Sequence, residues 1–191
     1  MFYRFARRIA IIIGRIFFRF TVTGQENIPK DGAVIICSNH IHGLDAVALA
    51  MFSKRQIFYM AKQELFKGRL LGTALHGLGA FPVDRKGNDL KAYRHTMQLL
   101  KDNKALGIFS QGTRTQDFDN VKGGVAVFAL KSNAPVVPVG IRGSYLPFSR
   151  LHINFGKPIQ VDEYQGKKIK SELVDEVMAK IVENVSKLSQ P

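Results

Sequence analysis

His40 and Asp45 are the two residues of this sequence whose types and spacing best fit shared acid–base chemistry. His40 follows the apolar run Ala33-Val34-Ile35-Ile36-Cys37 and the polar pair Ser38-Asn39. Asp45 opens Ala46-Val47-Ala48-Leu49-Ala50-Met51-Phe52. The first run reads as a buried strand and the second as a helix. On one continuous helix, residues five apart diverge by about 140°. A strand end, a turn hinged at Gly43 and a helix start would bring the two together. A carboxylate on one imidazole nitrogen then fixes the tautomer and leaves the other nitrogen as a base. Aspartate is also favoured in a first helical turn for its own sake. Spacing alone therefore leaves open a histidine and an aspartate that never meet.

A second group of residues is cationic. Lys62, Arg85 and Arg114 each fall near the end of a predicted strand, as His40 does. In a sheet of parallel strands, sites form beyond the carboxyl ends, so this convergence points to one shared site. Arg114 can offer two-pronged contacts to a phosphate and Lys62 a point charge, while Gly112 lets the backbone approach that phosphate closely. No serine or cysteine has the strand–turn–helix setting of an activated nucleophile such as Gly-x-Ser-x-Gly. The nucleotide-binding pattern Gly-x-x-x-x-Gly-Lys-Ser/Thr is absent. His40 and His42 are the nearest approach to a metal cluster, and two histidines do not make a zinc site. A general base beside a cationic pocket remains.

The elements that must position these groups alternate along the chain. Strands are expected at Phe20–Thr23, Ala33–Cys37, Ile57–Ala61, Gly79–Arg85, Ala105–Phe109, Val136–Ile141 and Leu151–Phe155. Helices are expected from Asp45, from Lys62 through Leu78, over 88–101 with Leu90, Tyr93, Met97 and Leu100 inward, and over Gly124–Lys131. A last amphipathic helix is expected over Lys168–Leu188, with Ile169, Leu173, Val177, Ile181, Val185 and Leu188 on one side. This alternation predicts an α/β fold with a mixed, largely parallel sheet covered by helices.

Residues 1–20 carry five arginines and no acid. On a helical wheel Arg4, Arg7, Arg8, Arg15 and Arg19 fall within about 120° of one another. Phe2, Phe5, Ile9, Ile12, Ile13, Ile16 and Phe20 crowd the opposite side. This is the pattern of a basic amphipathic helix lying in a membrane interface; the competing reading is a helix packed on its own domain. Arg15 interrupts the apolar run far short of the roughly 18 residues a span needs. Arg15 and Arg19 also spoil a signal-peptide core.

The 191 residues suffice for one domain with a real core, and 46% hydrophobic content argues globular. A single cysteine, Cys37, excludes an internal disulfide framework and reads as a buried structural thiol. The net charge of +13 favours a polyanionic partner such as a nucleic acid, an anionic membrane surface or a phosphorylated substrate. Nucleic acid is disfavoured, because no strand interleaves aromatic and basic residues and the strongest basic stripe is backed by large apolar ones.

Taken in order, His40-x4-Asp45, Gly79-Ala80-Phe81-Pro82-Val83-Asp84-Arg85, Phe109-Ser110-Gln111-Gly112-Thr113-Arg114 and Val137-Pro138-Val139-Gly140-Ile141 resemble the four motifs of the glycerolipid acyltransferases. The 1-acylglycerol-3-phosphate branch is the nearest, and Lys62-x-Glu64-Leu65-Phe66 is similar to it too. The resemblance covers about residues 20–145. It implies a catalytic pair of His40 as general base and Asp45 as its orienting partner. Lys62, Arg85, Gly112, Thr113 and Arg114 would hold a substrate phosphate, with Asn39 and Gln111 in support. The reaction implied is transfer of an acyl group from acyl-CoA or acyl-acyl-carrier-protein to the sn-2 hydroxyl of lysophosphatidic acid, with no bound cofactor or metal and no acyl-enzyme. Residues 1–20 would be a membrane-surface helix and 21–191 the acyltransferase domain, peripheral or monotopic on the cytoplasmic face of an anionic membrane. Two departures stand out. Gln111 replaces the family's usual Glu before Gly-Thr-Arg, keeping the shape but not the charge. His42 stands where a small polar residue is common and is expected to line the site. The alternatives are a different lysolipid acceptor, or a non-enzymatic basic membrane- or nucleic-acid-binding module.

Overall fold

The centre of the sheet is the strand that delivers His40. In the computed structural model, which describes residues 2–84, 89–110 and 123–190, β2 runs Val34–Ser38 with every residue buried. It needs no polar alternation because both its faces are covered. Val34 and Ile36 enter one apolar cluster and Ile35 and Cys37 the other.

Seven strands form one sheet: β1 (Arg19–Thr23), β2, β3 (Ile57–Lys62), β4 (Ala80–Val83), β5 (Ala105–Phe109), β6 (Val136–Gly143) and β7 (Arg150–Phe155). Their spatial order is β1-β7-β6-β2-β5-β3-β4. All neighbouring pairs are parallel except β6 and β7, which a short loop joins antiparallel. Gly143 at that corner has φ of 115° and lies so close to the Arg150 carbonyl that a Cβ would clash. The sheet is thus α/β, mixed and largely parallel, as the alternation of elements predicts.

Helices α4 (Leu90–Lys101), α5 (Gly124–Ser132) and α6 (Ser171–Ser189) cover one face. Helix α2 (Asp45–Phe52) covers the other, and α1 (Phe2–Phe17) packs on α2. Ile35, Ile36, Leu49, Ile57 and Leu106 are fully buried between these layers. Each such side chain contributes roughly 1.5–3 kcal/mol. The strand ends around His40 therefore rest on a fully buried core.

Four local expectations need correction. The stretch from Lys62 to Leu78 is not one helix: a 3₁₀ turn over Gln63–Phe66 and α3 (Arg69–Gly77) are separated at Gly68, whose ψ of 120° is extended. Leu90 is not inward but 62% exposed, because Asp89 caps α4 and puts Leu90 in the first turn. The buried stripe of α4 is Ala92, Thr96, Leu99 and Leu100, with Tyr93 and Met97 packed at its flanks. Ile169 precedes α6 and is exposed. In the N-terminal segment, Arg19 and Phe20 belong to β1, and Arg7 turns inward. Arg7 donates from Nε to the Ala50 carbonyl at 2.9 Å and from Nη2 to that of Met51 at 2.8 Å, tying α1 to the last turn of α2. A cation is favoured there by the free carbonyls of a helix end.

Candidate active site

Asn39 stops β2 from running on. Its side-chain amide donates to the Ile141 carbonyl at 2.7 Å and accepts from the Ile141 N–H at 2.7 Å, taking the place of a ladder rung to β6. The next residues turn away as Ile41-His42-Gly43-Leu44, and Asp45 begins α2. Asp45 folds back over this turn: its Oδ2 accepts from the N–H groups of Ile41 at 2.7 Å and His42 at 2.8 Å. The same oxygen lies 2.7 Å from His40 Nδ1. The other oxygen accepts from the Tyr145 hydroxyl at 2.7 Å. A fully buried carboxylate is expensive unless every lone pair is used, and Asp45, at 0% exposure, is held by four donors. The strand–turn–helix unit thus brings His40 and Asp45 together, a contact that favours the imidazole tautomer with its proton on Nδ1.

Aromatic rings build the rest of the wall. The His40 ring stacks on Phe109, with centroids 4.1 Å apart and planes 16° from parallel. Tyr59 lies behind Phe109 at 6.0 Å. Its ring covers Gly107, where an added Cβ would come within 2.1 Å of it. His42 stacks on Tyr145 at 4.6 Å, and its Nδ1 accepts from the Leu44 N–H at 3.2 Å. Burial first, then the Asp45 charge, push the Tyr145 phenol well above its ordinary range, so it keeps its proton and donates a hydrogen bond to Asp45. The Tyr59 phenol is raised by burial, with Tyr3 and Asp45 adding to it. Burial pushes the Cys37 thiol up to about 12.

His40 opens onto a cavity of about 610 Å³, also lined by Gly43, Lys62 and Phe109 at one end. Its walls are apolar, with alanines from α1 (Ala6, Ala10), α2 (Ala46, Ala50) and the sheet (Ala61, Ala80) set among larger side chains such as Met51, Met60 and Leu75. Tyr3, Arg7 and Ile57 line the far end. From Lys62 back to Ile57 is five strand steps, roughly 17 Å at 3.3 Å per residue. The cavity is therefore long and apolar along its walls, with polar groups at its two ends, His40 and Lys62 at the mouth and Tyr3 and Arg7 at the other. Lys62 pairs with Glu64 at 3.8 Å, both side chains exposed.

Lys62 and His40 line this one cavity, and Asn39 and Asp45 position His40. Arg85, Gln111, Gly112, Thr113 and Arg114 lie outside the described residues. His42 lies beside the pair, on Tyr145. Tyr145 escaped the reading of the sequence, because a tyrosine a hundred positions from Asp45 carries no spacing signal. Phe109 stood inside a motif, but nothing in one dimension says that it stacks on His40. Among the described residues no group of three or more His, Cys, Asp or Glu could hold a metal ion.

The α1 wheel has three faces. Phe2, Phe5, Ile9, Ile12, Ile13 and Ile16 are exposed on one, Arg4, Arg8 and Arg15 are exposed beside them, and Tyr3, Ala6, Arg7, Ala10 and Gly14 face the protein. Among the described residues no helix is long and apolar enough to cross a membrane.

Comparison with known proteins agrees with this architecture. A solved structure from Thermotoga maritima, described as a 1-acyl-sn-glycerophosphate acyltransferase, superposes with a TM-score of 0.75 at 23% identity, covering 99% of this chain and 82% of that one. A 1-acyl-sn-glycerol-3-phosphate acyltransferase of Bacillus subtilis is 36% identical over 123 residues, 64% of this chain and 62% of that protein. The chain thus spans less than two thirds of that relative. One of the same description from Streptococcus pneumoniae is 29% identical, covering 100% of this chain and 74% of its own length. Residues 19–142, well over half the sequence, match the model of the Acyltransferase family, and the chain belongs to that family.

Proposed function

We propose that this protein transfers an acyl group from a thioester, acyl-CoA or acyl-acyl-carrier-protein, to the sn-2 hydroxyl of lysophosphatidic acid, giving phosphatidic acid. The observation that carries the reading is the His40–Asp45 pair, 2.7 Å apart, at the mouth of a long apolar cavity. The cavity suits a fatty chain, and the mouth is where its thioester would meet a base. His40 Nε2 takes the proton of the acceptor hydroxyl, and the hydroxyl oxygen bonds to the thioester carbonyl carbon. The carbon–sulfur bond then breaks, and the thiolate leaves with the proton held by His40. Asp45 keeps Nδ1 protonated and stabilises the imidazolium while it exists. Holding hydroxyl, base and thioester in line supplies much of the acceleration, and the base adds about 10²–10⁴.

Lys62 at the mouth, with Arg114, Arg85 and the backbone at Gly112 and Thr113, holds the glycerol phosphate. The descriptions of the relatives from Bacillus subtilis and Streptococcus pneumoniae support this acceptor. Helix α1 docks the domain on the face of an anionic membrane, since it exposes seven Phe and Ile side chains, Phe17 at its end included, beside three arginines. The deciding assay follows thioester consumption by the purified protein across several lysolipid acceptors. Turnover with lysophosphatidic acid, lost in His40→Ala, is the expected result; near-normal turnover by His40→Ala refutes the mechanism. Gln111 favours a second reading, an acceptor other than lysophosphatidic acid. Gln111→Glu should raise activity on lysophosphatidic acid, and a fall instead, with another acceptor preferred by the unaltered chain, supports the second reading.

A further inference from the structure

The loop between β6 and β7 has a construction that neither the dyad nor the cavity explains. Leu146 is 69% exposed and Phe148 67%, with exposed Pro147 between them. Exposure of this kind is usual on a floppy loop, but this one is cross-braced. The Ser149 hydroxyl donates to the carbonyls of Ser144 and Leu146, and the Leu146 N–H donates to the Ser144 hydroxyl at 3.2 Å. Phe148 holds φ of 64°, a left-handed conformation that costs a bulky residue energy and persists only where its surroundings impose it.

Every backbone N–H at the tip has a partner inside the protein or does not exist. That of Leu146 goes to Ser144, that of Phe148 to the Phe17 carbonyl, and that of Ser149 to the Leu146 carbonyl, while Pro147 has none. N–H groups already bonded inside the protein lower the cost of moving this tip from water toward lipid.

Its position supplies the partner. The Phe148–Phe17 bond places the tip against the C-terminal end of α1, where the exposed row Phe5, Ile9, Ile12, Ile13, Ile16 and Phe17 ends. Next to the tip, Arg19 and Arg150 face each other in register on β1 and β7, both exposed, and the Arg19 N–H donates to the Ser149 carbonyl at 2.9 Å. Exposed apolar side chains beside a pair of arginines match the acyl region and the phosphates of an anionic bilayer.

We propose that the β6–β7 loop is a second lipid-contacting element, inserting Leu146, Pro147 and Phe148 into the same leaflet on which α1 lies. This rests on the docking of α1 put forward above. Two contacts, a helix and a loop at its end, fix the rotation of the protein about the helix axis, which a helix alone leaves free. The fixed face is the one beneath which α1 walls the cavity.

The chain contains no tryptophan, so a single one reports its own surroundings. Phe148→Trp and Ile12→Trp are prepared separately in the full chain. Each is mixed with vesicles of phosphatidylglycerol and phosphatidylcholine carrying bromine high on the acyl chains. In both variants the emission should shift to the blue and be quenched. Quenching at position 12 with none at 148 overturns the loop contact and spares α1; no quenching at either overturns both. A blue shift of the Phe148→Trp variant on adding an acidic acyl carrier protein, with none on adding vesicles, assigns the loop to a protein partner and overturns the proposal. As a second arm, Leu146→Ser with Phe148→Ser should weaken vesicle partitioning roughly tenfold to a hundredfold. Phe148→Gly removes the strain of a positive φ, so it should weaken partitioning without lowering the melting temperature. A Phe148 that merely packs the fold would lower the melting temperature and leave partitioning alone.

Discussion

Asp45→Asn separates the two things a carboxylate does for a histidine, holding its tautomer and stabilising its charge. An asparagine has one carbonyl oxygen and one amide nitrogen, so it must choose which faces His40. Here the backbone decides. The N–H groups of Ile41 and His42 both point at the oxygen that faces His40 Nδ1, at 2.8 Å or less. Turning the amide nitrogen toward them would leave two buried donors unsatisfied, at about 1–3 kcal/mol each. The carbonyl oxygen therefore stays, Nδ1 keeps its proton, and the amide nitrogen meets the Tyr145 hydroxyl, which can turn to accept. What is lost is the charge. A full imidazolium–carboxylate attraction is worth about 4 kcal/mol at 4 Å and an effective dielectric of 20. The amide dipole recovers part of it, so the barrier rises by about 1.5–3 kcal/mol, a ten- to two-hundred-fold fall in kcat. The assay is steady-state thioester consumption at saturating acceptor, with thermal unfolding of the same preparation as a control for folding. Wild-type turnover would show that the charge of Asp45 is not used. A loss near the roughly 10⁴ that a wrong tautomer costs, with unchanged unfolding, would show that the amide had flipped and that Ile41 and His42 do not hold it.

Other outcomes follow from the same geometry. Arg114→Ala should raise KM for lysophosphatidic acid by the factor that about 1.5–3 kcal/mol implies for a charge-assisted pair; an unchanged acceptor KM with a raised thioester KM would reverse the assignment. Ala50→Phe fills the end of the cavity near Arg7, which bonds the Ala50 carbonyl, and leaves the mouth open. It should abolish turnover of long-chain thioesters and spare short ones, as a chain-length series will show; equal loss at all lengths would move the fatty chain elsewhere. Cys37 is buried among core side chains with its thiol pushed up from 9.0 to about 12. The unfolded chain therefore releases a proton between those values that the folded chain keeps, so this group lowers stability as pH rises through that window. At pH 8 the native thiol should react with an aromatic disulfide reagent only as fast as the protein opens, and immediate labelling would refute its burial.

Much of this protein was written in one dimension. The alternation of short apolar runs with helical segments specified the α/β sheet, because a strand covered on both faces is apolar on both, as residues 34–37 are. The turn from β2 into α2 was legible too, since Gly43 and an aspartate opening a helix carry local preferences. Other features belong to the tertiary structure alone. Tyr145 reaches Asp45 from a hundred residues away, and Phe109 reaches His40 because β5 lies beside β2 in register. Arg7 sits on the arginine side of a helical wheel, yet it turns inward because the last carbonyls of α2 lie beside it. Leu90 fits an inward helical period but is exposed, since the period says nothing of where a helix starts relative to the sheet. Periodicity reports which residues share a face; only the packing of one element on another decides what that face meets.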